Sequence, residues 1–85
     1  MPSALDLFGK QLKRLRIERH LSQEKLAEMC GFHRNHQGRL ERGERVPTFD
    51  AMLRLAYALE VKPGELLRLI PVPKKLPPKR KKREE

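Results

Sequence analysis

Apolar residues recur along residues 4 to 69 at the spacing of a helix. Leu5, Phe8, Leu12 and Leu15 fall at steps of three and four with Lys10, Lys13, Arg14 and Glu18 between them, so residues 4 to 19 are expected to form an amphipathic helix. Ser22 is a natural N-cap for a second helix, Gln23 to Cys30, whose Leu26, Ala27 and Cys30 share a face. Gly31 supplies the left-handed residue that stops it. A third helix runs from about residue 33 to 42, interrupted only by Gly38, and Gly43 stops it in the same way. Thr48, after Pro47, caps a fourth helix, Phe49 to Leu59, with Phe49, Leu53, Ala56 and Leu59 expected on its inner side. Pro63 opens a short fifth helix through about Leu69, which Pro71 ends. No alternating strand pattern occurs, so the expected fold is all-α: five short helices in residues 1–70.

Residues 71–85 differ in kind. They hold four of the seven prolines, seven basic and two acidic residues, and only Val72 and Leu76 for burial. Such a segment is expected to be a flexible, disordered or polyproline-like tail. It suits a solvated end and equally non-specific attachment to phosphates, with a nuclear-import signal as a third reading.

Composition narrows the function. Eighty-five residues support one small domain and a tail, which excludes a multi-domain enzyme. No apolar run approaches the roughly 20 residues of a membrane span, the first residues do not read as a secretory signal, and the single cysteine forms no internal disulfide. A soluble, cytoplasmic protein, associated with the nucleoid, is expected. Twenty Lys and Arg against eleven Asp and Glu give a formal net charge of +9, and residues 1–70 remain at +4 without the tail. That excess points to a polyanion. Tyr57 and the three Phe are too scattered to stack bases, which disfavours single-stranded nucleic acid.

Two helices of eight to ten residues joined by a three-residue turn containing glycine form a helix-turn-helix, whose second helix enters the DNA major groove. At about 100° per residue, Gln37 and Leu40 lie on the inner side of that helix, which directs Asn35, Gly38, Arg39 and Arg42 outward with Arg34 on the flank. Arg34 or Arg39 could pair with guanine O6 and N7, and Asn35 with adenine N6 and N7. His36, Arg42 and Arg45 are candidates for the DNA backbone. The absence of a Ser/His/Asp arrangement, a glycine-rich phosphate loop or a paired carboxylate leaves no candidate catalytic site and no expected cofactor. Cys30, His33 and His36 have a spacing that could in principle hold zinc, but Cys30 sits on the apolar face and reads better as a small core residue, so no metal is expected.

The residues themselves carry a resemblance. Leu21-Ser22-Gln23-Glu24-Lys25-Leu26-Ala27-Glu28-Met29-Cys30-Gly31-Phe32-His33-Arg34, then Arg39 through Arg45, then Pro47-Thr48-Phe49 and Glu65-Leu66-Leu67, closely resemble the Xre-type (lambda-repressor and Cro-like) helix-turn-helix family over roughly residues 7 to 69. The His33-Arg34-Asn35 start and the Gly43-Glu44-Arg45 end look most like the controller proteins of restriction-modification systems. The resemblance implies base contacts at Arg34, Asn35 and Arg39, a phosphate contact at Gln23, and a structural ion pair between Arg16 and Glu41.

It departs from the family at Gln37, where an apolar residue is usual, and at Gly38, where another side chain is common. Gln37 would bury its stem and point its amide elsewhere. Gly38 costs roughly 1 kcal/mol of helix propensity against Ala, and either lets the backbone approach the groove or weakens the helix.

The expected function is a sequence-specific double-stranded DNA-binding transcriptional regulator, a repressor among other possibilities, acting as a homodimer. Met52, Leu55, Val61, Leu66, Leu67, Leu69 and Ile70 exceed what so small a domain readily encloses, and Leu66, Leu69 and Ile70 are the expected centre of the dimer interface. The competing readings are an antitoxin-like module whose partner is a protein such as a toxin, and a non-specific nucleic-acid-binding protein.

Overall fold

A computed structural model describes residues 2–75. Every regular element among them is helical: α1 (Ala4–Glu18), α2 (Gln23–Cys30), α3 (Arg34–Glu41), α4 (Phe49–Leu59) and a 3-10 helix (Pro63–Leu67). The remaining ten residues of the basic tail lie outside the described residues, and its described part, 71–75, carries no regular element.

Local chemistry sets each start. Ser3 and Asp6 form a reciprocal capping box on α1, each side chain accepting from the other's backbone N–H at 3.1 Å. Ser22 Oγ accepts from the Lys25 amide at 2.9 Å and Thr48 Oγ1 from the Ala51 amide at 3.0 Å. The stops use left-handed residues. Gly31 closes α2 at φ 77°, and Glu60 closes α4 at φ 60°, a conformation that costs a side chain more than it costs glycine.

The core gathers Phe8, Leu12 and Leu15 of α1, Leu26 and Cys30 of α2, Leu40 of α3, Leu55, Ala56 and Leu59 of α4, and Leu66. Burial pushes the Cys30 thiol up to about 11 against the opposing charge of Arg54, as befits a thiol that behaves as a core group. Where α1 crosses α3, Gly9 is required. A β-carbon there would collide with the carbonyl oxygens of Glu41 and Leu40, so the missing side chain sets the close approach of the two helices.

Three sequence expectations need correction. The inner face of α4 is Ala51, Leu55, Ala56 and Leu59, whereas Phe49 is 73% exposed and Leu53 42% exposed. The helix is apolar on two sides, and packing against α2 and the 3-10 helix selects the one with the small residues. The fifth helix is a 3-10 turn ending at Leu67 rather than an α-helix to Leu69, as suits a five-residue segment that begins Pro63-Gly64. Leu66, expected at the centre of a dimer interface, is fully buried in the core, and Leu69 and Ile70 are half-buried. The tighter turn of the 3-10 helix delivers Leu66 inward onto α1 and α4.

Candidate nucleic-acid interface

The turn between α2 and α3 is closed from several directions. The Phe32 amide donates to the Ala27 carbonyl at 2.8 Å, continuing the Gly31 stop. Arg54 of α4 donates through Nη1 to the Cys30 carbonyl at 3.0 Å and through Nε to Asp50 at 2.8 Å, which satisfies one of the open carbonyls at the end of α2. On the other side of the turn, His33 Nδ1 accepts from the Asn35 amide at 3.0 Å and caps α3. Neither Arg54 nor the capping role of His33 was anticipated. The sequence carries no signal for Arg54, since its acceptor lies 24 residues away, and none for His33, since histidine is not among the residues that usually mark an N-cap.

The inner side of α3 ends in a buried charge. Glu41 accepts four hydrogen bonds: Arg16 Nε at 2.7 Å and Nη2 at 3.0 Å, Gln23 Nε2 at 3.0 Å and Gln37 Nε2 at 3.0 Å. Arg16 is completed by a 2.8 Å bond from Nη1 to the Leu21 carbonyl. The side chains of Arg16 and Glu41 are only 11% and 2% exposed, so this pair joins α1, α2 and α3 in a dry place. Burial pushes the Glu41 carboxyl up, but the hydrogen bonds from Arg16, Gln23 and Gln37 and the Arg16 charge outweigh it and hold the group below its ordinary value. Gln37 is fully buried, with its amide nitrogen on Glu41 and its Oε1 without a hydrogen-bond partner among the described residues. The Gln23 carboxamide also faces inward to Glu41, which leaves its backbone N–H at the start of α2 as the more direct donor to an anion.

The outer side is the reverse. Arg34, Asn35, Arg39, Arg42 and Arg45 are exposed and His36 is half-buried. Arg34 approaches Glu24 at 3.7 Å, and Arg42 is held by Glu44 through Nε at 3.1 Å and Nη2 at 3.3 Å. Arg39 and Arg45 form no ion pair among the described residues. These two border a shallow cleft of about 410 Å³ together with His33, Asn35 and His36. His36 stacks edge-on against Phe32 with ring centroids 4.9 Å apart. Burial lowers its pKa below the ordinary value, and the charges of Arg45 and Arg39 act in the same direction. A second cleft, of about 610 Å³, lies between α2 and α3 and is bordered by Gln23, Arg34, Asn35 and Arg42. Gly38, expected to face outward, is instead covered by the side chains of Arg42 and Gln23 and is buried.

The arrangement is a helix with donors on its exposed face and its other face anchored on α1 and α2. Arginine supplies planar, bidentate donors for base edges and phosphates, and the fixed backbone of α3 sets their spacing. No helix among the described residues is long and apolar enough to cross a membrane.

Known proteins resemble this chain in sequence and in fold. The sequence model of the helix-turn-helix domain family matches residues 7–70. The control protein C.BamHI of Bacillus amyloliquefaciens is 39% identical over 62 residues, covering 72% of this chain and 76% of the relative. The control protein C.SmaI of Serratia marcescens is 37% identical over 62 residues, covering 73% and 74%. Among solved structures, the restriction-modification controller protein C.AhdI of Aeromonas hydrophila superposes with a TM-score of 0.72 at 44% identity, over 73% of this chain and 94% of that one. With the helix pair, the matched span and these relatives together, the chain belongs to the helix-turn-helix family of Xre type and is similar, within it, to restriction-modification control proteins.

Proposed function

We propose that this protein is a sequence-specific double-stranded DNA-binding transcriptional regulator that acts as a homodimer, with α3 in the major groove. The observation that carries the reading is the two-sidedness of α3: Gln37 and Leu40 anchor one face while Arg34, Asn35 and Arg39 are exposed on the other. Arg34, Asn35 and Arg39 read base edges, the last without an ion pair to break. His36, Arg42, Arg45 and the start of α2 at Gln23 contact the backbone and fix the register. The likeness to control proteins of restriction-modification systems favours a regulator over an enzyme.

One such helix spans few base pairs, and a two-fold dimer extends the site to two half-sites about 34 Å apart. In support, Phe49, Leu53 and Tyr57 form an exposed row at four-residue spacing on α4, and Leu67 is 43% exposed, whereas Leu66 is spent on the core. Leu69 and Ile70, half-buried, would contribute only their outer edges. The basic segment 71–85 adds phosphate contacts without reading sequence.

Selection of binding sites from random duplex DNA at fixed salt tests the reading. A two-fold symmetric consensus is the expected result, with sedimentation showing two chains per site. Equal affinity for unrelated duplexes would overturn the sequence-specific part, and one chain per site would overturn the dimer.

A further inference from the structure

Gly38 occupies the middle of an eight-residue helix, where alanine has the better helix propensity and no positive φ calls for glycine. Its surroundings supply another reason for it. A β-carbon at this position would lie 3.0 Å from Nη1 of Arg42 and 3.6 Å from Oε1 of Gln23. Arg42 is the C-cap residue of α3, and its side chain runs back one turn toward the helix N-terminus, so that its guanidinium lies over the bare backbone at Gly38. Glu44 holds the opposite edge of the guanidinium through Nε and Nη2. Nη1 makes no hydrogen bond among the described residues, and Arg42 borders the cleft between α2 and α3 together with Gln23, Glu24 and Arg34.

We propose that Gly38 is a positioning residue for DNA binding: its missing side chain seats the Arg42 guanidinium against α3, with Nη1 turned to a backbone phosphate in the cleft between α2 and α3. The inference rests on the DNA-binding reading above. An arginine that is already oriented loses less side-chain freedom on meeting a phosphate, and its planar fork lets one edge stay on Glu44 while the other donates to the anion. A methyl group at 38 would stand 3.0 Å from Nη1, so the guanidinium has to shift by a few tenths of an ångström off its seat, and the Arg42 side chain, 58% exposed, gives way at little structural cost. Position 38 thus exchanges helix stability for placement of a donor.

The test uses the full chain as wild type, Gly38→Ala, Arg42→Ala and the double variant, each titrated with the selected duplex and a random duplex over a range of salt. Gly38→Ala is expected to melt about 4 °C higher through its better helix propensity. It is expected to bind both duplexes about tenfold more weakly, as loss of a charge-assisted hydrogen bond does, with the slope of log K against log salt shallower by about 0.9. In the Arg42→Ala background the same change should cost nothing more. Unchanged binding by Gly38→Ala, or an equal loss in the Arg42→Ala background, overturns the proposal, the latter because the methyl group would then be meeting DNA directly. A lower melting temperature also overturns it, because the neighbour would then be unable to give way. A wild type that binds no duplex at all overturns the DNA-binding reading itself, and the wild-type titration alone identifies that case.

Discussion

The two sides of α3 carry the same chemical pair in opposite surroundings. On the inner side Glu41 meets Arg16 with both side chains almost dry and with Gln23 and Gln37 completing the carboxylate's hydrogen bonds. On the outer side Glu44 meets Arg42, and Glu24 meets Arg34, with every side chain more than half exposed. Charge and residue type do not separate these pairs, but water does. In the dry site neither partner can be withdrawn without stranding the other, which makes the pair a fixed joint between α1, α2 and α3. In water such a pair contributes little and holds its partners loosely, so the outer arginines keep donors available to a ligand. Burial therefore assigns Arg16 to architecture and leaves the outer arginines exposed, as the proposed recognition role requires.

The largest expected effect tests the inner joint. Glu41→Ala should lower unfolding free energy by about 3–5 kcal/mol, because Arg16, Gln23 and Gln37 would lose their common acceptor, and urea denaturation at neutral pH measures it. A loss below about 1 kcal/mol would place this pair with the outer ones. Gly9→Ala addresses the same joint by geometry. It should cost about 1–3 kcal/mol by forcing α1 off the end of α3, and its DNA affinity should fall as well, since Arg16 moves with α1.

The same carboxylate has a pH signature. Its folded pKa lies below the ordinary 4.5, so the unfolded chain takes up a proton first as the solution is acidified. The stability that Glu41 contributes is present above about pH 4.5 and is lost as pH falls through the lower folded value. Denaturation midpoints across this window should fall more steeply for wild type than for Glu41→Ala.

On the outer side Arg39→Ala should weaken binding to the selected duplex by about 1–3 kcal/mol while leaving random-duplex binding and the melting temperature nearly unchanged. An equal loss on both duplexes would reassign Arg39 to a phosphate. The smallest effect completes the contrast. Glu24→Ala and Glu44→Ala should each change unfolding free energy by no more than about 0.5 kcal/mol, as expected for exposed pairs. A cost comparable with that of Glu41→Ala would remove the distinction between the two sides.

What could be read in the chain follows the range of the interaction. Ser22 and Thr48 as caps, Gly31 and Gly43 as stops, and Pro63 as the opening of the last element are contacts within three or four residues, and the helices begin and end beside them. The inward side of α3 at Gln37 and Leu40 was readable because Leu40 is the one aliphatic side chain of the helix and Gln37 shares its face. By contrast α4 is apolar on two faces, one with Ala51, Leu55, Ala56 and Leu59 and one with Phe49, Leu53 and Tyr57, and periodicity alone favours neither. Gln11 shows the same gap for polar residues. It is fully buried on α1, which no pattern of polarity suggests, because its Nε2 donates to the Glu65 carbonyl 54 residues away at 2.9 Å.

By itself the sequence determined the order and type of the α-helices, the helix-turn-helix and the basic character of its outer face, since caps, stops and helical period act over one or two turns. The tertiary structure alone decided that Gln11 and Gln37 lie inside, that Leu66 belongs to the core, that Arg54 closes α2 and that Gly38 lies beneath Arg42. Each of those outcomes depends on a neighbour brought from another element or on where a side chain comes to rest in the packed whole. Burial and close approach are properties of the assembled helices, and no single segment contains them.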